Sequence, residues 1–131
     1  MKEVLDFLNK AQVYFLATTD GERPFVRPIG FAMEWQGKLA FCTGNHKPMY
    51  KQMKENPCVE LCAFDPETQT TLRVTGKAKF VTTPESQQKA LEVMPVLKNM
   101  YSVNDGRFEI FIIEGTAFTA TMSGETKELP M

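Results

Sequence analysis

Phe41-Cys42-Thr43-Gly44-Asn45-His46-Lys47-Pro48-Met49-Tyr50-Lys51-Gln52-Met53-Lys54-Glu55-Asn56-Pro57 is the stretch around which the chain is organised. It reads as the end of a strand, a tight Gly-Asn turn, and a short helix closed at Asn56-Pro57. Asn45 is a candidate N-cap, since its side-chain oxygen can accept from an unpaired first-turn amide. Pro48 fits the first turn, where a missing N–H is not needed. A helix start combines free amides with the positive end of the helix dipole, which suits a phosphate. Thr43 adds a hydroxyl, and Lys47 and Lys51 are spaced one helical turn apart. The other reading of these residues is an ordinary strand-turn-helix with solvated lysines.

Outward from this stretch, the 131 residues carry a net charge of -1 and the apolar content of a globular protein. The length suits one domain spanning residues 1–131. The charge argues against a nucleic-acid-binding surface as the main purpose. The N-terminal Met1-Lys2-Glu3-Val4-Leu5-Asp6-Phe7-Leu8 has acids within its apolar run and does not read as a signal peptide. No stretch is long and apolar enough to span a membrane. Three cysteines without a secretory signal point to free thiols in a reducing cytoplasm.

Taken in order, Val4, Leu5 and Leu8 share a face, so roughly the first eleven residues form an amphipathic helix. Val13–Thr18 is a strand ending at the Asp20-Gly21 turn. Pro24–Phe31 is a second strand in which Phe25, Arg27, Ile29 and Phe31 share one face. Pro28 removes a ladder donor, which makes this strand an edge or interrupts it with a bulge. Met33–Trp35 and Lys38–Thr43 form a hairpin about Gln36-Gly37. Cys58–Phe64 and Thr71–Val81 are further strands; in the latter Leu72, Val74, Gly76, Ala78 and Phe80 point one way. Thr83-Pro84-Glu85 starts a helix that runs to about Met94. Pro95 begins a short turn through Tyr101. Arg107–Glu114 and Thr116–Met122 read as two strands about Gly115, and the tail after Ser123 reads as polar and frayed. Six or more short strands with few crossovers predict a mainly β fold, a small antiparallel barrel with short helices.

The chemistry available is narrow. His46 is the only histidine, which excludes a multi-histidine metal site within one chain. Cys58 and Cys62 share a strand face but stand about 13 Å apart along it, too far to chelate one ion or to pair. Cys42 reads as a small core residue. No G-x-G-x-x-G or G-x-x-x-x-G-K pattern occurs. No metal ligand set and no catalytic constellation emerge. Arg27 is the outlier: a guanidinium on an apolar strand face needs a partner. A bound phosphate or planar ligand is one candidate; an internal salt bridge to Glu34 or Glu60 is the other.

Arg27-Pro28-Ile29, the strand Lys38–Thr43, the Lys47…Lys51-Gln52-Met53-Lys54-Glu55-Asn56-Pro57 helix and Val59-Glu60-Leu61 follow in the order of the pyridoxamine 5′-phosphate oxidase-like flavoproteins. The chain resembles a short member of that superfamily over roughly Gln12 to Met122. Leu97–Gly106 further resembles the nitroimidazole-resistance (Nim-type) branch. The resemblance implies a six-stranded antiparallel split β-barrel and a homodimer with FMN at the subunit interface. It implies that Arg27, Pro28 and Ile29 run beside the flavin, the arginine near its phosphate. Thr43, Asn45 and Lys47 match the phosphate-binding turn, Lys51 is a further candidate, and His46 lies in the same turn within reach of the phosphate. Two features depart from the family: the C-terminal Trp and Arg that serve pyridoxamine phosphate are missing, and Pro48-Met49 replaces a basic pair. The expected function is an FMN-dependent oxidoreductase that passes electrons from a reduced nicotinamide to a small acceptor such as a quinone or nitroaromatic. The alternative is a non-catalytic flavin-binding or sensor module.

Overall fold

The computed structural model describes residues 1–131. Alternating apolar positions build eight strands: β1 (Tyr14–Thr19), β2 (Pro24–Ile29), β3 (Met33–Trp35), β4 (Lys38–Gly44), β5 (Cys58–Asp65), β6 (Thr70–Phe80), β7 (Phe108–Ala120) and β8 (Thr126–Leu129). Three α-helices punctuate them: α1 (Lys2–Ala11), α2 (Pro48–Glu55) and α3 (Pro84–Val93), with a 3-10 turn at Pro95–Asn99. The strands form one antiparallel sheet in the order β2-β1-β5-β6-β7-β4-β3, and β8 pairs with the end of β7.

This sheet curls. In a flat sheet β1 and β4, four steps apart in that order, would be separated by about 19 Å at the usual strand spacing. Tyr14 of β1 instead meets Phe41 of β4 with ring centroids 6.4 Å apart, and Phe41 stacks on Phe111 at 5.5 Å. Leu16, Leu61, Leu72, Val74 and Ile113 fill the same core, into which α1 inserts Val4 and Leu8. The barrel is split because β2 and β3 each pair with only one neighbour. Pro28 therefore sits on an edge strand, where its missing amide costs no ladder bond.

A second core lies outside the barrel. Ala90 and Leu91 of α3, with Leu97 and Tyr101 beyond it, cover Ala40, Ile110 and Ile112 on the outer face of β4 and β7. Both faces of β4 are thus buried, which accounts for its continuous run Leu39-Ala40-Phe41. Helix α3 starts as its sequence predicts, with Pro84 in the first turn and Thr83 and Ser86 closing a reciprocal capping box.

Four expectations are corrected. The sheet has eight strands where the resemblance implies six; β3 stands where the Met33–Trp35 hairpin was expected, and β8 is the strand that was not expected. Residues 108–120 form one strand, not two about Gly115, because Gly115 faces Gly76 and the ladder runs through. A Cβ on Gly115 would lie 1.9 Å from the Thr75 carbonyl oxygen, and one on Gly76 would lie 2.1 Å from that of Glu114. The glycine pair lets two backbones touch and the long strand continue. The tail is not frayed: β8 pairs with β7, Leu129 is buried in the barrel core, and the Met1 ammonium donates to the Pro130 carbonyl. Finally, the cap of α2 is the extended backbone of Lys47, with no side-chain cap bond. Asn45 does not cap, because its amide donates instead to Gly106 O at 2.9 Å and Glu109 Oε2 at 3.0 Å.

Candidate functional site

The split between β2 and β4 opens into a cleft of about 340 Å³. One wall is Pro28-Ile29-Gly30-Phe31, where the edge strand leaves the sheet; the floor is Cys42-Thr43 at the end of β4. Lys47 stands at one end, and Met94, Val96, Leu97, Met100 and Tyr101 form the opposite, largely apolar wall. A shallower groove of about 520 Å³ runs along α3 beside Trp35, lined mainly by charged and polar side chains. None of the eight candidate site residues lines it.

Four of the eight residues expected at the site line the cleft: Pro28, Ile29, Thr43 and Lys47. Thr43 carries its clearest chemical signal. The residue is 2 % exposed, and its Oγ1 is the one buried side-chain polar atom without a hydrogen-bond partner. An unmet buried hydroxyl is costly, on the order of 1–3 kcal/mol, and a ligand oxygen is a natural way to satisfy it. Lys47 is exposed and enters no salt bridge, so its charge is available. The start of α2 offers fewer free amides than its sequence suggests. Pro48 has none, Lys47 N–H donates to Gly44 O at 3.0 Å, and Tyr50 N–H donates to Lys47 O at 3.1 Å. Anion binding at this end therefore rests on side chains.

The other four lie off the cleft lining. Arg27 points away from Pro28, as strand alternation requires, and is half-buried. Its Nη1 donates to Leu16 O at 3.1 Å and Thr18 Oγ1 at 2.8 Å, and its Nη2 donates to Gln52 Oε1 at 2.8 Å. The salt bridge to Glu34 or Glu60 does not form; Glu60 accepts from Thr75 Oγ1 at 3.0 Å. All of Arg27's partners are neutral, so its charge is held but not cancelled, and burial lowers its pKa from the ordinary value. Asn45 braces the turn before β7. Lys51 is exposed on α2 and unpaired. His46 faces Arg107, with Arg107 Nε donating to Nδ1 at 3.0 Å. Partial desolvation, and then the charges of Arg107 and Lys47, hold its pKa below the ordinary 6.5.

Sequence reasoning missed the apolar wall, Gln52 and Arg107. Gln52 directly follows Lys51 and is an ordinary helix residue until the fold brings it to Arg27. The wall was visible only as a short apolar turn after Pro95. Cys42 was read as core, yet it also lines the cleft; burial pushes its thiol up to about 12, so it stays protonated and inert. No His, Cys, Asp and Glu side chains gather as a metal-binding group.

With this geometry in place, comparison with known proteins is informative. The family described as "Pyridoxamine 5'-phosphate oxidase" matches residues 1–121. A NimC/NimA family protein from Clostridium acetobutylicum is 38% identical and superposes with a TM-score of 0.90, over 98% of this chain and 93% of that one. A protein from Listeria innocua described as a putative pyridoxamine 5′-phosphate oxidase is 18% identical, with a TM-score of 0.70 over 98% of this chain and 96% of that one. A pyridoxamine 5′-phosphate oxidase-related, FMN-binding protein from Nostoc punctiforme is 13% identical, with a TM-score of 0.67 over 99% and 96% of the two chains. The last two likenesses are of fold. No protein of curated function matches the chain.

Proposed function

Because this chain belongs to the pyridoxamine 5′-phosphate oxidase family, with a NimC/NimA protein among its relatives, we propose that it is an FMN-binding oxidoreductase. The observation that carries the reading is the orphaned Thr43 hydroxyl, buried in a cleft that also holds the unpaired Lys47. These residues fit the phosphate of FMN: a residue with an unmet hydroxyl and one with an unpaired ammonium both line a cleft that no carboxylate lines. The backbone of Pro28-Ile29-Gly30 would flank the flavin ring, and the Met94–Tyr101 wall would exclude water from its far side. Arg27 adds an uncancelled positive charge close to α2. FMN, when bound, supplies hydride and electron chemistry, so the protein need provide only position and electrostatics. The cleft has no carboxylate and no free imidazole to act as a general base, in keeping with such a division of labour.

The donor in this reading is a reduced nicotinamide and the acceptor a small quinone or nitroaromatic. The apolar wall favours uncharged, planar acceptors. The working unit is a homodimer with FMN at the interface, supported by the outer face of the sheet. There Phe15, Cys62, Arg73 and Phe118 form one cross-strand row, and Phe15, Val26, Phe64 and Phe118 are exposed by 41–68 %. Exposed apolar side chains gathered on adjacent strands mark an interaction surface. The three free cysteines suit a reducing cytoplasm, and no helix is long and apolar enough to cross a membrane.

Stopped-flow reduction of the FMN-loaded protein by NADH or NADPH tests the proposal. Rapid bleaching of the flavin followed by reoxidation with a quinone is expected. A flavin that binds but stays oxidised would reduce the assignment to a non-catalytic flavin-binding or sensor module. Colourless protein that fails to bind added FMN would overturn it.

A further inference from the structure

Beside the Lys47 end of the cleft lies a basic cluster of which the flavin reading uses only Lys47. Arg107, in the turn before β7, donates from Nε to His46 Nδ1 at 3.0 Å, and its Nη2 lies 3.1 Å from His46 Nε2. A guanidinium has donors only, so the ring nitrogen that accepts from it must be unprotonated. Lys47 is the next residue. None of the three enters a salt bridge. The nearby acids are committed elsewhere: Asp105 accepts from the backbone amides of Ser102, Arg107 and Phe108, and Glu109 accepts from Asn45 and Thr82. Two fixed cations and a titratable ring therefore stand together without a direct salt bridge, and the Asp105 carboxylate, close enough for Arg107 to lower its pKa, offsets only part of their charge.

Gly44 connects this cluster to the cleft. A Cβ there would lie 2.4 Å from His46 Cε1 and 2.7 Å from Tyr101 Oη. The imidazole and the phenol thus close over bare backbone, and Tyr101 itself lines the cleft with Thr43 and Lys47. The unpartnered Thr43 hydroxyl, buried on the residue preceding Gly44, is the independent sign that this end lacks a ligand's acceptor atoms.

We propose that Arg107, His46 and Lys47 together bind a phosphate monoester dianion at the mouth of the cleft, Arg107 exchanging its imidazole partner for phosphate oxygens. The inference rests on the reading above in placing Thr43 and Lys47 at the anion end, but adds Arg107 as a ligand and His46 as its latch. A phosphate dianion accepts two charge-assisted bonds from the guanidinium fork, where the neutral imidazole offers a single acceptor nitrogen. The groups facing His46 are Arg107 and Asp105 from the turn before β7, Lys47 from its own turn, and Tyr101 beyond the 3-10 turn. Arg107 and Lys47 both disfavour its protonation. A dianion offsets those charges, so the ring can take up a proton and donate as well.

The single histidine makes the test direct, because one imidazole Cε1–H resonance reports the site. Flavin-free protein is titrated with inorganic phosphate. A saturable shift of that resonance and an upward move of its pH midpoint are expected. Arg107→Gln should weaken phosphate by tenfold or more, Arg107→Lys less, and Lys2→Gln, remote on α1, not at all. No saturable shift, or equal phosphate affinity in Arg107→Gln that melts like the parent protein, overturns the proposal. Repeating the titration on FMN-loaded protein separates two sources of the phosphate. Loss of the response assigns the site to the flavin's own phosphate; persistence assigns it to a separate monoester, of which the 2′-phosphate of NADPH is the one a nicotinamide donor carries, and removes Lys47 from the flavin phosphate. Protein that responds to phosphate but fails to bind FMN would refute the flavin reading and leave this site standing.

Discussion

At the scale of single residues, Thr43 gives the sharpest prediction. Thr43→Val keeps the shape but removes a buried hydroxyl that has no partner. The flavin-free protein should gain stability, by about 1 kcal/mol, since an unmet polar group is removed. FMN affinity should fall at the same time, by roughly tenfold for the loss of one bond to a charged group. Chemical denaturation and fluorescence titration check the two halves, and a loss of stability would mean that the hydroxyl is satisfied. Lys47→Ala should weaken FMN more than Lys51→Ala, because only Lys47 lines the cleft. Equal affinities would mean the phosphate lies elsewhere. Cys42 offers a pH test. With its pKa pushed up to about 12 by burial, its thiol is protonated throughout the neutral range and should not alkylate faster between pH 7 and 9. Exposed Cys58 should label first, as peptide mapping after iodoacetamide treatment will show. Residue type and spacing singled out Thr43 and Lys47, and both line the cleft. Type and spacing could not announce Arg27's partners, since Leu16 O, Thr18 and Gln52 come together only when β1, β2 and α2 pack.

Elements show where local rules suffice and where they fail. Helix α3 was legible from Thr83-Pro84-Glu85 alone, because cap, first-turn proline and early acid are short-range signals. The break expected at Gly115 was wrong for a non-local reason. A glycine weakens a strand unless another backbone needs its space, and that backbone, Thr75-Gly76, is some forty residues away in sequence. Gly115→Ala should accordingly destabilise the protein by about 3 kcal/mol or more, beyond the usual cost of a point mutation. Thermal denaturation measures it; a loss below about 1 kcal/mol would mean that β6 and β7 can separate at little cost. Asn45 illustrates the same limit. Its type suits an N-cap, but Gly106 and Glu109 compete for its amide once β7 pairs with β4.

At the scale of the molecule, the exposed apolar row on the outer sheet predicts assembly. Phe15→Lys with Phe118→Glu should yield monomers in analytical ultracentrifugation and weaken FMN, because in the proposed dimer the site would lose its second half. The barrel core lies on the opposite sheet face, so these exposed positions should cost little folding stability. A parent protein that sediments as a monomer at all concentrations would remove the basis for the dimer.

The β class, the single antiparallel sheet and the α2 turn were determined by the sequence itself. Alternation, turn residues and first-turn prolines act over a few residues and need no partner to be read. The curl that brings Tyr14 onto Phe41 and the burial of both faces of β4 were decided only in three dimensions. So were the cleft at the split and the Arg107–His46 pair. Each depends on contacts between residues far apart in the chain, whose free energy comes from packing and charge placement rather than from any local preference.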